Sequence, residues 1–105
     1  MIDGTATVAY IPSKSVLGLS KINRIVNFFS RRPQIQERLT EQICATLKLI
    51  CKTEDVAVVI KAVHHCVKSR GVKDTNSYTV TSKLSGRFLT VPELRQEFFS
   101  IAHKA

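Results

Sequence analysis

The run "DVAVVIKAV", Asp55–Val63, is rich in β-branched residues and nearly free of polar ones. Val and Ile suit a pleated backbone, and a short apolar run of this length is the pattern of a strand buried on most of its length. The strand is expected to continue through His64 and Cys66. Downstream, "SYTVTSKLSGRFL" (77–89) predicts a second strand, antiparallel to the first, after a turn around Asp74-Thr75-Asn76. Upstream, "TATVAYI" (5–11) alternates polar and apolar residues as a third strand, ended by Pro12.

Two helices are expected between the upstream strand and this run. Ile22, Ile25, Val26 and Phe29 make one apolar stripe, with Ser20 placed as its N-cap. Pro33 closes that helix and suits the first turn of the next, where Ile35, Leu39, Ile43, Leu47 and Ile50 step by three or four residues. Thr90-Val91-Pro92-Glu93 has the form of a capping box, opening a last helix with Leu94, Phe98 and Ile101 inward. The order β-α-α-β-β-α predicts an α+β fold, with helices packed on one face of an antiparallel sheet. A three-stranded sheet leaves a long edge unpaired, so it is expected to be completed by another chain.

A chain of 105 residues is expected to be one domain, 1–105. No run approaches the length of a membrane span, and "MIDGTATVAY" lacks the features of a secretory signal, which predicts a cytoplasmic protein without a membrane partner. Three cysteines, Cys44, Cys51 and Cys66, form no disulfide framework. Cys44 reads as a small buried hydrophobe and Cys51 as the end of its helix. Sixteen Lys and Arg against eight Asp and Glu give a charge of +8, which favours a polyanionic partner. The cations are dispersed and only seven aromatics are present, so nucleic acid is not the expected one.

Three clusters carry chemistry. On a strand, His64, Cys66, Lys68 and Arg70 share one face by parity, a face suited to a polar, anion-accepting cavity. His64 and Cys66 are two zinc-ligand types side by side, fewer than a zinc site needs. His65 points the other way and reads as structural. In "LGLSKINRI", Ser20, Lys21 and Arg24 gather a hydroxyl, an ammonium and a guanidinium near a helix N-terminus, a set that suits phosphate or simply a solvated basic face. In "QIQERLTEQ", Gln36 and Glu37 open the long helix. A carboxylate is favoured there by the helix dipole in any case, but it also matches the N1–H and exocyclic NH2 edge of guanine.

The motifs L-S-K-x-N-R-I, Q-x-Q-E-R-L-T and H-x-C-x-x-x-R-G, in this order from about Asp3 to Phe99, closely resemble the C-terminal catalytic half of bacterial GTP cyclohydrolase I. The resemblance implies the tunnelling fold, in which subunits join their sheets into rings and assemble as pentamers or decamers. It implies conversion of GTP and water to formate and 7,8-dihydroneopterin triphosphate, at the entry to folate and pterin synthesis. By motif, Cys66 resembles the zinc-binding cysteine and His64 the histidine acting as acid and base on the purine. Gln36 and Glu37 resemble the guanine-holding pair; Ser20, Lys21, Arg24 and Arg70 resemble the triphosphate-binding set.

This family's other two zinc ligands, a cysteine and a histidine in a C-E-H-H segment, precede the strand that here begins "IDGTATVAY". The 105 residues therefore carry one of three Zn2+ ligands, and lack the family's N-terminal half. Two readings follow: an enzyme domain whose remaining ligands come from a separate chain or from outside the sequence, or a non-catalytic guanine-nucleotide-binding or assembly module.

Overall fold

The computed structural model describes residues 4–65 and 76–104. Strand β1 (Gly4–Tyr10) leads to helices α1 (Leu19–Ser30) and α2 (Gln36–Cys51). Strands β2 (Val56–His65) and β3 (Asn76–Leu84) follow, then a single turn α3 (Arg87–Thr90) and helix α4 (Pro92–Lys104). The three strands form one antiparallel sheet in the order β1-β2-β3, with Val8 opposite Val58 and Ile60 opposite Thr81. This is the α+β architecture expected from the sequence.

β2 is central, and both its faces are covered, which is why its sequence does not alternate. Val56, Val58 and Ile60 pack under α1 and α2 with Ile25, Leu39, Ile43 and Leu47. Ala57 and Val59 face the other way, against Phe88 and Phe98 and the α4 residue Ala102. The two long helices thus lie together on one face, and α3–α4 closes over part of the second. Cys44 is buried in the α2 core and Cys51 ends the helix, both as expected, and Cys51 is buried as well.

Several boundaries differ from the sequence reading, each for a local reason. The N-cap of α1 is Gly18, whose carbonyl accepts from Lys21 N and Ile22 N, so Ser20 is the second residue of the helix and makes no cap bond. The Tyr10 hydroxyl accepts from Leu17 N at 2.7 Å and donates to Leu17 O at 3.2 Å. That anchor fixes where the chain enters α1. Pro33 lies in the connection rather than in the first turn of α2, whose extended N-cap is Ile35. Ile35 and Ile50 are exposed; the buried stripe of α2 is Leu39, Thr40, Ile43, Cys44, Leu47 and Cys51.

Strand β3 stops at Leu84, short of the sequence expectation. Gly86 at φ 61° turns the chain, and Arg87–Thr90 winds into α3. The Asp55 carboxylate accepts from Arg87 N at 2.8 Å and Nε at 3.0 Å, clasping this turn to the start of β2. The Thr90 hydroxyl donates to Gly86 O, so no capping box forms; Val91 O receives Arg95 N, and Pro92 takes the first helical position. On α4 the inward positions are Leu94, Phe98 and Ala102, a step of four, which leaves Ile101 exposed.

Candidate functional site

Gln36 is the first residue of α2, and its side chain reaches down to the sheet. Its Nε2 donates to Thr79 O at 2.8 Å, to Ile60 O at 3.1 Å and to Thr81 Oγ1 at 3.2 Å. Thr40 Oγ1 donates to Gln36 O at 3.0 Å and lies 2.6 Å from Thr81 Oγ1. The first turn of α2 is therefore bolted across β2 and β3, a few residues before the end of β2. Glu37, the next residue, is exposed in that same turn. Its neighbours in the chain hold it at this end of the sheet, with its carboxylate open to a ligand.

Ser20, Lys21 and Arg24 are exposed on the first turns of α1, with Lys21 and Arg24 three apart on one face. They belong to the opposite end of the sheet. The chain enters α1 beside Tyr10, which pairs with Val56. From there α1 runs toward Gly4–Ala6, where Val26, Asn27 and Ser30 line a shallow cavity with Leu39 and Ile60. Measured along α1, Ser20 stands about 15 Å before the helix end, at 1.5 Å per residue. Measured along β2, the step from Val56 to Ile60–Ala62 is about 13–20 Å. The two estimates agree: the basic set and Gln36–Glu37 lie at opposite ends of the helix layer.

The third cluster is described only in part. His64 is in β2, its backbone opposite Ser77, and His65 is opposite Asn76. The side chains of both, and the whole of Cys66, Lys68 and Arg70, lie outside the described residues, as does the turn at Asp74-Thr75. Among the described residues no three of His, Cys, Asp and Glu converge on a possible metal position. Cys44 and Cys51 do not substitute. Burial pushes both thiols above the ordinary cysteine range, so they stay neutral within the α2 core. The described residues do not by themselves make a zinc site.

The sequence singles out Gln36 and Glu37 but not Thr40, Thr81 or Tyr10, whose hydrogen bonds shape the ends of the two helices. The i, i+4 spacing of Gln36 and Thr40 is visible in the sequence, since a helical threonine hydroxyl often bonds back one turn. Thr81 lies forty-one residues beyond Thr40, and only the strand register brings it there.

The GTP cyclohydrolase I family model matches residues 1–103. The chain is 62% identical over 103 residues to GTP cyclohydrolase 1 of Mannheimia succiniciproducens, covering 98% of this chain and 47% of that protein. The proteins of the same name from Pasteurella multocida and Haemophilus ducreyi are 61% and 59% identical over the same 103 residues, with the same coverage. The chain thus spans about half the length of the curated relatives it matches.

Proposed function

The chain belongs to the GTP cyclohydrolase I family, and on that premise we propose that it binds GTP and takes part in the hydrolytic opening of its purine to formate and 7,8-dihydroneopterin triphosphate. The observation that carries this reading is the fixed first turn of α2, which holds the Glu37 carboxylate at the end of the sheet toward which β2 brings His64. Glu37 accepts two hydrogen bonds from the N1–H and 2-amino group of guanine. Gln36 belongs to the same recognition turn. His64 exchanges the proton on the purine ring. Ser20, Lys21, Arg24 and Arg70 hold the triphosphate, toward which the +8 charge of the chain also draws a polyanion.

Cys66 is one zinc ligand in this proposal, and the others come from outside these 105 residues. The basic set and the guanine-binding turn stand at opposite ends of one chain's helix layer. We place them in the same site through two copies, the α1 terminus of one meeting the α2 terminus of the next. In support, β1 and β3 are both edges of the sheet, and large apolar side chains such as Leu19, Phe28, Ile35, Tyr78, Val80 and Phe99 are exposed. A ring of copies, pentameric or decameric, would pair those edges. No helix among the described residues is long and apolar enough to cross a membrane, and a cytoplasmic, metabolic role in folate synthesis is part of the same reading.

The test is formate release from GTP, with zinc supplied, by the chain together with the polypeptide that carries the remaining zinc ligands, alongside GTP binding by equilibrium dialysis. Formate formed in step with the pterin triphosphate, and lost in His64→Ala, is the expected result. GTP bound without formate would favour the non-catalytic module. Absence of GTP binding would refute both.

A further inference from the structure

We infer that Thr81 and Thr40 are positioning residues for guanine recognition: together with the Gln36 side chain they fix the backbone that carries Glu37. The inference rests on the reading of Glu37 as the guanine ligand, and it assigns Gln36 a different part from direct substrate contact.

The hydrogen bonds leave one consistent arrangement. Thr40 Oγ1 has a single hydrogen, and it donates to Gln36 O at 3.0 Å. In the 2.6 Å contact between the two threonine hydroxyls, Thr81 must then be the donor. Thr81 Oγ1 in turn accepts from Gln36 Nε2 at 3.2 Å. The result is a closed ring: Gln36 Nε2 to Thr81, Thr81 to Thr40, Thr40 to the Gln36 carbonyl. The second Nε2 hydrogen goes to Thr79 O, with Ile60 O close by. Two main-chain carbonyls around that nitrogen also settle the amide orientation, because a flipped amide would set Oε1 against oxygen atoms.

Both N–H groups of Gln36 are thus committed to the sheet, and only its Oε1 is left for any other partner. Thr40 is buried and Gln36 and Thr81 are half-buried, so the ring is partly shielded from water and each bond polarises the next. The device ties the N-terminus of α2 to β2 and β3 at one point. Glu37 follows that point by one residue. Discrimination by a carboxylate that accepts two parallel bonds depends on placement to within a few tenths of an ångström, which an untied helix end would not hold.

The experiment compares GTP with inosine triphosphate, which lacks the 2-amino group, as competitors for bound labelled GTP. The wild-type protein is expected to prefer GTP by about tenfold or more, because the missing amino group strands one side of the carboxylate. Thr81→Val keeps the shape of the side chain but opens the ring, and most of the preference should vanish, with affinity for GTP falling by more than that for inosine triphosphate, which offers Glu37 only its N1–H. Thr81→Ser, which restores the hydroxyl, should restore the preference. Thr40→Val opens the same ring from its other side and serves if Thr81→Val does not fold. A ring that is merely structural would lower the melting temperature and leave the nucleotide preference intact, and that result overturns the inference alone. Equal binding of both nucleotides by the wild type overturns the Glu37 reading, and the inference with it.

Discussion

A mixing experiment separates a one-chain site from a two-chain site. One variant carries Lys21→Glu with Arg24→Glu, which removes the phosphate half of the proposed site. The other carries Glu37→Ala, which removes its guanine half. By helix rise Lys21 and Arg24 stand about 14 Å and about 9 Å before the end of α1, and Glu37 lies on the next helix, so neither change touches the other directly. Removing the carboxylate costs a pair of charge-assisted hydrogen bonds, on the order of 10–100-fold in affinity. Reversing two cations repels the triphosphate outright. At a GTP concentration near the wild-type Kd, each variant alone should bind almost nothing.

The two are then dissociated in mild denaturant, mixed in equal amounts and reassembled, and their capacity for GTP is measured by equilibrium dialysis. If each site draws its basic half from one copy and its acidic half from the next, random assembly leaves both halves intact in about one quarter of sites, given independent choice at each interface. The mixture should then recover about a quarter of wild-type capacity. If both halves belong to one chain, with the nucleotide stretched along the helix pair, no site in the mixture is whole. A mixture that binds no more than its components would refute the two-copy arrangement, provided differently tagged subunits are seen together by native mass spectrometry.

Two further predictions concern the turn that follows β3. Gly86→Ala puts a Cβ at φ 61° and against the Asp55 carboxylate, with Glu54 O at 2.6 Å, so a destabilisation of about 1–3 kcal/mol is expected by urea denaturation; an unchanged midpoint would refute the clasp. The backbone N–H of Arg87, and then its side chain, hold Asp55 below the ordinary carboxylate range, so the clasp stabilises above the unfolded pKa and is lost as pH falls through the lower folded value. Asp55→Asn should flatten that acid limb of a stability–pH curve, and an equally steep limb in the variant would count against it.

The fold was legible wherever one chemical cause acted alone. The unbroken apolar run at Val56–Ile60 declared a strand buried on most of its length, though not that helices would cover both faces of it, and the three-to-four spacing from Leu39 to Leu47 declared a buried helix face. The misreadings share a different cause: a distant partner displaced a local preference. Ser20 is a good N-cap residue, but Tyr10, ten positions earlier in sequence, anchors Leu17 and starts the helix sooner. Thr90 has a capping partner in Glu93, yet Gly86 and Asp55 wind it into the preceding turn, where its hydroxyl is already used. The site shows the same division. Glu37 and the basic set are proposed from residue type and spacing, whereas the ring through Thr81 depends on Ile60 standing opposite Thr81.

That register ties the stability of the domain to its chemistry. β2 contributes Val56, Val58 and Ile60 to the core under α1 and α2, and the apolar sequence gives way to His64 and His65 four residues after Ile60. Gln36 bonds to the sheet at Ile60 and Thr79, where this change begins. A slip of one residue between β2 and β3 would turn Thr81 to the opposite face and expose Val58 or Val59 to the wrong layer. The packing that makes such a slip costly also sets the position of Glu37. If Glu37 is the guanine ligand as proposed, a substitution deep in the core has a route to its placement through the register of these two strands.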